Sequence, residues 1–142
     1  MSTKEKEIRY REAVRYMANA IDILKTKARK KDRYYEDEKY VRMACGTAYN
    51  GVLLALDSYL EIKGKPIQKK RGSQVSVKDY QKSLAGIDKK VLNEFTTVYR
   101  ILHNEGYYNG ENNHSVIKSG MDSASQIINK IRPQGVEAFS LN

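Results

Sequence analysis

Apolar residues recur at steps of three and four along almost the whole chain, and the only two prolines, Pro66 and Pro133, stand where that rhythm stops. A period near 3.6 gathers such residues on one face of an α-helix, whereas a strand needs strict alternation, which is nearly absent. The pattern predicts a first helix over residues 3–28, with Tyr10, Ala13, Val14, Met17, Ala20, Ile21 and Leu24 inward. A second is expected over 35–63, on the stripe Val41, Ala44, Cys45, Ala48, Val52, Leu53, Leu56, Tyr59 and Leu60. Its first half is rich in small residues, which suits close approach of a neighbour. Gly64 and Pro66 then stop it.

The stretch 65–74 is polar, basic and without period, and reads as a loop. Ser76 and Asp79 have the spacing of a capping box and open a short helix over 77–84. Asp88 offers a new N-cap for a third long helix, ending near Asn104, with Val91, Leu92, Phe95, Val98, Tyr99 and Leu102 inward. Residues 106–113 read as a tight polar turn carrying Tyr107 and Tyr108. A last helix is expected over 115–131, and the tail 133–142 is expected to fray. These elements predict an all-α chain: an antiparallel four-helix up-and-down bundle with a short extra helix between helices two and three. At 142 residues it forms a single domain, 1–142, with its core over about 5–132.

Composition removes several classes of function. One cysteine excludes an intrachain disulfide framework, and two histidines beside it are too few for a zinc cage, so neither a metal nor a cofactor is expected. Cys45 sits at helical spacing among small apolar residues and reads as a buried hydrophobe. No Gly-rich phosphate loop, nucleophile elbow or His-Glu-x-x-His motif is present. The first residues show no apolar run of a secretory signal, and no stretch approaches the ~18 apolar residues of a membrane span. A cytoplasmic protein without membrane contact is the expectation.

Lys and Arg number 26 against 17 Asp and Glu, a formal net charge of +9. The excess lies entirely before Asp79: 19 basic and 10 acidic residues run through Lys78, and seven of each follow. Two clusters carry it. One comprises Lys25, Lys27, Arg29, Lys30, Lys31 and Arg33, the other Lys63, Lys65, Lys69, Lys70 and Arg71. Helices about 40 Å long would hold these at opposite poles. Attraction to a phosphate backbone is one reading, and dipole-matched helix ends beside a solvated loop is the other.

The segment from Tyr99 to Tyr108 is the richest in chemistry. In an α-helix Arg100 would lie about 60° round from His103, beside the apolar stripe. An imidazole and a guanidinium so placed are candidates for holding a phosphate, or for acid–base cleavage of RNA. Tyr99, Asn104, Tyr107, Tyr108, Asn109 and His114 are candidate binding residues around them.

An Ala-rich first helix with Tyr16-Met17-Ala18-Asn19-Ala20, a small-residue second helix over 44–60, and a helix stopping at Leu102-His103-Asn104-Glu105-Gly106-Tyr107-Tyr108-Asn109-Gly110 before a final amphipathic helix together resemble the HEPN superfamily of small helical bundles. The resemblance spans about residues 8–131 and is one of pattern and order. The chain is also similar to small uncharacterised helical proteins of Bacteroidetes. The resemblance implies a homodimer, and either a non-catalytic partner module, with a nucleotidyltransferase-like protein or RNA as its counterpart, or an RNA-cleaving toxin. RNase members of that superfamily carry an Arg, four to six residues, then a His. Here two residues separate Arg100 from His103, and Asn109 stands where His114 would need an Arg. The departure favours a non-enzymatic binding module, with a divergent RNase or a non-specific nucleic-acid binder as alternatives.

Overall fold

A computed structural model describes residues 1–69 and 71–141. The protein is predominantly helical, as the periodicity predicts. Helix α1 (Thr3–Ile23) starts where the Ser2 hydroxyl accepts the Glu5 N–H. It buries Tyr10, Ala13, Met17 and Ala20 and runs on through a π-helical turn, Leu24–Ala28. Helix α2 (Glu38–Ile62) is capped by Asp37 and packs along α1. Its first half buries Ala44, Cys45, Ala48 and Gly51, so the small residues do face neighbours. Helix α3 (Val77–Ala85) opens on the expected Ser76–Asp79 capping box. Helix α4 (Lys89–Val98) opens on Asp88, and α5 (His114–Asn129) on Asn113.

Three sequence expectations are corrected. First, α4 does not end near Asn104 in a turn. It continues as a ten-residue π-helix, Tyr99–Tyr108, so Tyr107 and Tyr108 are helical residues. Second, a short antiparallel hairpin, β1 (Lys30–Lys31) with β2 (Tyr34–Tyr35), follows α1, where Tyr35 had the spacing of a helix start. Two residues per strand are too few to hold alone. The hairpin survives because it is stitched to the start of α5: Tyr35 N–H donates to the Asn112 carbonyl at 2.8 Å and His114 N–H to the Arg33 carbonyl at 2.8 Å. Third, the tail expected to fray is fastened. Phe139 N–H donates to the Tyr10 hydroxyl at 2.7 Å, and Asn129 Nδ2 donates to the Phe139 carbonyl at 2.9 Å.

The core is apolar and close-packed, and buried tyrosine hydroxyls tie its helices together. Tyr59 donates to Asp88 at 2.7 Å, joining α2 to the cap of α4. Tyr80 donates to Asp57 at 2.8 Å, joining α3 to α2. Helix α2 and the π-helix approach closely. Gly106 lies so close to Cys45 that a Cβ on it would overlap the thiol sulfur. This glycine is needed for want of space, since it lies inside a helix.

Gly106→Ala is therefore expected to lower stability by about 1–3 kcal/mol, as overpacking does. Part of that loss should return in the Gly106→Ala/Cys45→Ala double variant. Urea-denaturation midpoints of the single and double variants, set in a mutant cycle, check the coupling. The Phe139 N–H is shared between the Tyr10 hydroxyl and Asn129 Oδ1 at 2.9 Å, so amide exchange at Phe139 should accelerate in Tyr10→Phe/Asn129→Ala while the core amides of α2 stay protected.

Candidate functional site

The π-helix arranges side chains in a way an α-helix does not. Its i→i+5 hydrogen bonds reduce the rotation per residue, so positions four and five apart straddle one full turn. Tyr99, His103, Tyr107 and Tyr108 thereby form one column. The His103 ring lies 5.1 Å from Tyr99, 6.1 Å from Tyr107 and 5.0 Å from Tyr108, centre to centre. Tyr49 of α2 joins from the side at 4.7 Å. Tyr49 also stacks on Phe95 at 6.4 Å, so rings run continuously from the core to the surface. At the outer end Tyr107 is 45 % exposed and Tyr108 62 %.

Arg42 fixes that end. Its guanidinium donates to the carbonyls of Tyr107 and Tyr108 and to Glu38 Oε1. A cation on the last carbonyls of a helix also suits the helix dipole. Gly110 follows at φ +71, with Glu38 and Arg42 where a side chain would go. Met43, one residue along from Arg42, is 49 % exposed. The Tyr107 ring lies over Gly46, one turn further on. Sequence reading misses Arg42 and Tyr49; only the i,i+4 pair with Glu38 hints at the former.

The ladder decides the state of His103. Burial among the rings disfavours the imidazolium, so its pKa falls below the usual histidine value. Burial also pushes the Tyr49 hydroxyl up to about 12. Arg100 is exposed, and among the described residues no hydrogen bond or ion pair holds it. Because π-helical residues rotate less, three steps fall further short of a full turn than in an α-helix. Arg100 and His103 therefore diverge by more than the expected 60°. Asn104 contributes its carbonyl, which receives the Asn109 N–H at 2.9 Å, and Asn109 ends the segment.

His114 belongs elsewhere. It opens α5 beside the hairpin, its ring 5.6 Å from Tyr35. Burial and the charges of Lys30 and Lys118 lower its pKa. Of the first basic cluster, Lys25 and Lys30 share a groove with His114. Lys27 lies 5.9 Å over the Tyr40 ring, Arg29 adopts φ 55, Lys31 is in β1, and Arg33 gives its carbonyl to His114. In the second cluster Lys63 lies over Tyr59 at 5.6 Å. Lys65, Lys69 and Arg71 are exposed, and Lys70 lies outside the described residues. The Arg9–Glu61 ion pair at 2.6 Å sets the start of α1 beside the end of α2, so the clusters stand at opposite ends of that helix pair. Among the described residues no three His, Cys, Asp or Glu gather to hold a metal. Among the described residues no helix is long and apolar enough to cross a membrane. Cys45 is buried, and its burial pushes the thiol up to about 12.

A lowered folded-state pKa at His103 means that the unfolded chain takes up more protons below about pH 6.5. Stability is therefore fully present above that value and is lost as pH falls toward the folded pKa. Urea midpoints should drop between pH 7.5 and 5.5, and the drop should shrink in His103→Gln, leaving the share due to His114.

Comparison with known proteins gives relatives without an assigned activity. No curated protein matches the chain. A solved structure, of a protein of unknown function from Dyadobacter fermentans, is 41 % identical, with a TM-score of 0.76 over 92 % of this chain and 97 % of that one. The family model described as "Domain of unknown function (DUF5618)" matches residues 8–133. Spanning as it does nearly all of the helical core, that match means the chain belongs to the DUF5618 family.

Proposed function

We propose that this chain is a non-enzymatic, HEPN-like binding module that pairs with a second copy of itself through the outer end of the aromatic column. One observation carries the reading: Met43 of α2 and Tyr107 and Tyr108 of the π-helix stand exposed, and Arg42 holds the backbone of the two tyrosines. Tyr and Met are enriched at protein interfaces. Tyrosine gives a large contact area for few lost rotamers, and a segment already fixed loses little more on binding. The proposed scaffold is an antiparallel four-helix up-and-down bundle of α1, α2, α4 with its π-extension, and α5, with α3 inserted. It is supported by the packing of α1 on α2, α2 on the π-helix, and α4 and α2 on α5. A cytoplasmic setting is part of this reading, supported by a lone buried thiol. A nucleotidyltransferase-like partner is what the HEPN resemblance implies, and the paired module is the form that would meet it.

The divergence of Arg100 from His103 weighs against the RNase alternative. The separation of the basic clusters weighs against a non-specific nucleic-acid binder. Light scattering at micromolar concentration should give a dimer for the wild type. Tyr108→Glu should give a monomer with an unchanged circular-dichroism spectrum, a loss of at least about 2 kcal/mol of pairing if Tyr108 is a hot spot. A wild-type monomer would end the pairing. Degradation of total RNA by the wild type but not by His103→Ala would restore the RNase reading.

A further inference from the structure

A groove of about 830 Å³ lies on the side of the molecule where α1, the hairpin, α5 and the C-terminal tail meet. That volume is in the range of small-molecule sites. Its lining carries an apolar strip, with Leu24 from the π-helical turn after α1, Ile117 and Met121 from α5, and Phe139 from the tail, beside the polar Ser125 and Gln126. Its walls are fixed by contacts already described: the hairpin is stitched to α5 and the tail is fastened to Tyr10. Three lysines stand at the rim, Lys25, Lys30 and Lys118. Lys118 is engaged, its ammonium 2.9 Å from Asp122. Lys25 and Lys30 have no ion-pair partner among the described residues. Burial, and then the charges of Lys30 and Lys118, disfavour the charged form of His114 in the groove.

We infer that this groove binds a small amphipathic carboxylate, its aliphatic body on the strip formed by Leu24, Ile117, Met121 and Phe139 and its head between Lys25 and Lys30. The chemistry follows from the lining. An apolar strip gains free energy by covering a hydrocarbon body, at roughly 25 cal/mol per Å² removed from water. With Lys118 paired to Asp122, Lys25 and Lys30 are the ammonium groups left for one head group. Among the described residues no arginine lines the groove, so the planar bidentate recognition that favours phosphate esters is not offered there. The Tyr35–His114 pair closes one wall with rings whose faces are largely apolar. This site is separate from the aromatic column and does not depend on the pairing proposed above.

Decanoate, below its micelle concentration, is the probe. Titration calorimetry with the full chain at low salt should show one site per chain, and methyl resonances of Met121 should shift. Lys25→Gln/Lys30→Gln changes only exposed side chains and should weaken decanoate by about tenfold or more, as loss of charge-assisted contacts does. Decan-1-ol, with the same body and no charge, should bind the wild type as weakly as decanoate binds the double variant. Absence of decanoate binding, or binding that the double variant leaves unchanged, overturns the proposal. So does decyl phosphate binding where decanoate does not, which would put a phosphate head in the carboxylate's place.

Discussion

The contact between Gly106 and Cys45 governs how the rest of the molecule is arranged. A helix can come this close to α2 only where both sides are small, and α2 is small-residue rich over this stretch. The π-helical winding and the close contact belong together. Winding through i→i+5 bonds lets Gly106 face Cys45 while Tyr99, His103, Tyr107 and Tyr108 remain in one column on a neighbouring side. Arg42, reaching from α2 to the last carbonyls, closes the same seam from outside. The exposed tyrosines are therefore presented by a helix packed on α2, not by a loop.

Helix positions were legible wherever a buried stripe met a capping residue. Ser76, Asp79, Asp88 and Pro133 mark their boundaries through local chemistry, and local chemistry can be read from order alone. What was hidden depended on partners far away in sequence. Lys30-Lys31 and Tyr34-Tyr35 carry no strand pattern; Asn112 and His114 complete their hydrogen bonding. Gly106 reads as a helix breaker because composition cannot distinguish a glycine needed for its backbone freedom from one needed for its size. The tail reads as loose because nothing near it announces that Tyr10 will receive it.

The candidate residues divide along the same line. Tyr99, His103, Tyr107 and Tyr108 do come together, since their spacing of four and five survives the change from α to π winding. Arg100 does not join them, because that change moves it round the axis. Asn104 and Asn109 act through the backbone. His114 meets Lys25 and Lys30 across about ninety residues of intervening chain, a neighbourhood visible only once the hairpin is placed against α5. The basic excess thus divides between two ends of the α1–α2 pair, and part of it stands beside the groove, rather than forming a uniformly basic surface.

The stitch between the hairpin and the start of α5 also orders events in time. During synthesis α1, α2 and the hairpin residues are made long before Asn112 and His114. Until those two appear, Arg33 and Tyr35 have no one to bond, and a two-residue ladder does not persist alone. The first two helices can pack as they emerge, because their contacts are close in sequence, whereas this closure must wait for the final helix. The wall of the groove is thus set last, by the same segment that supplies half of its apolar strip.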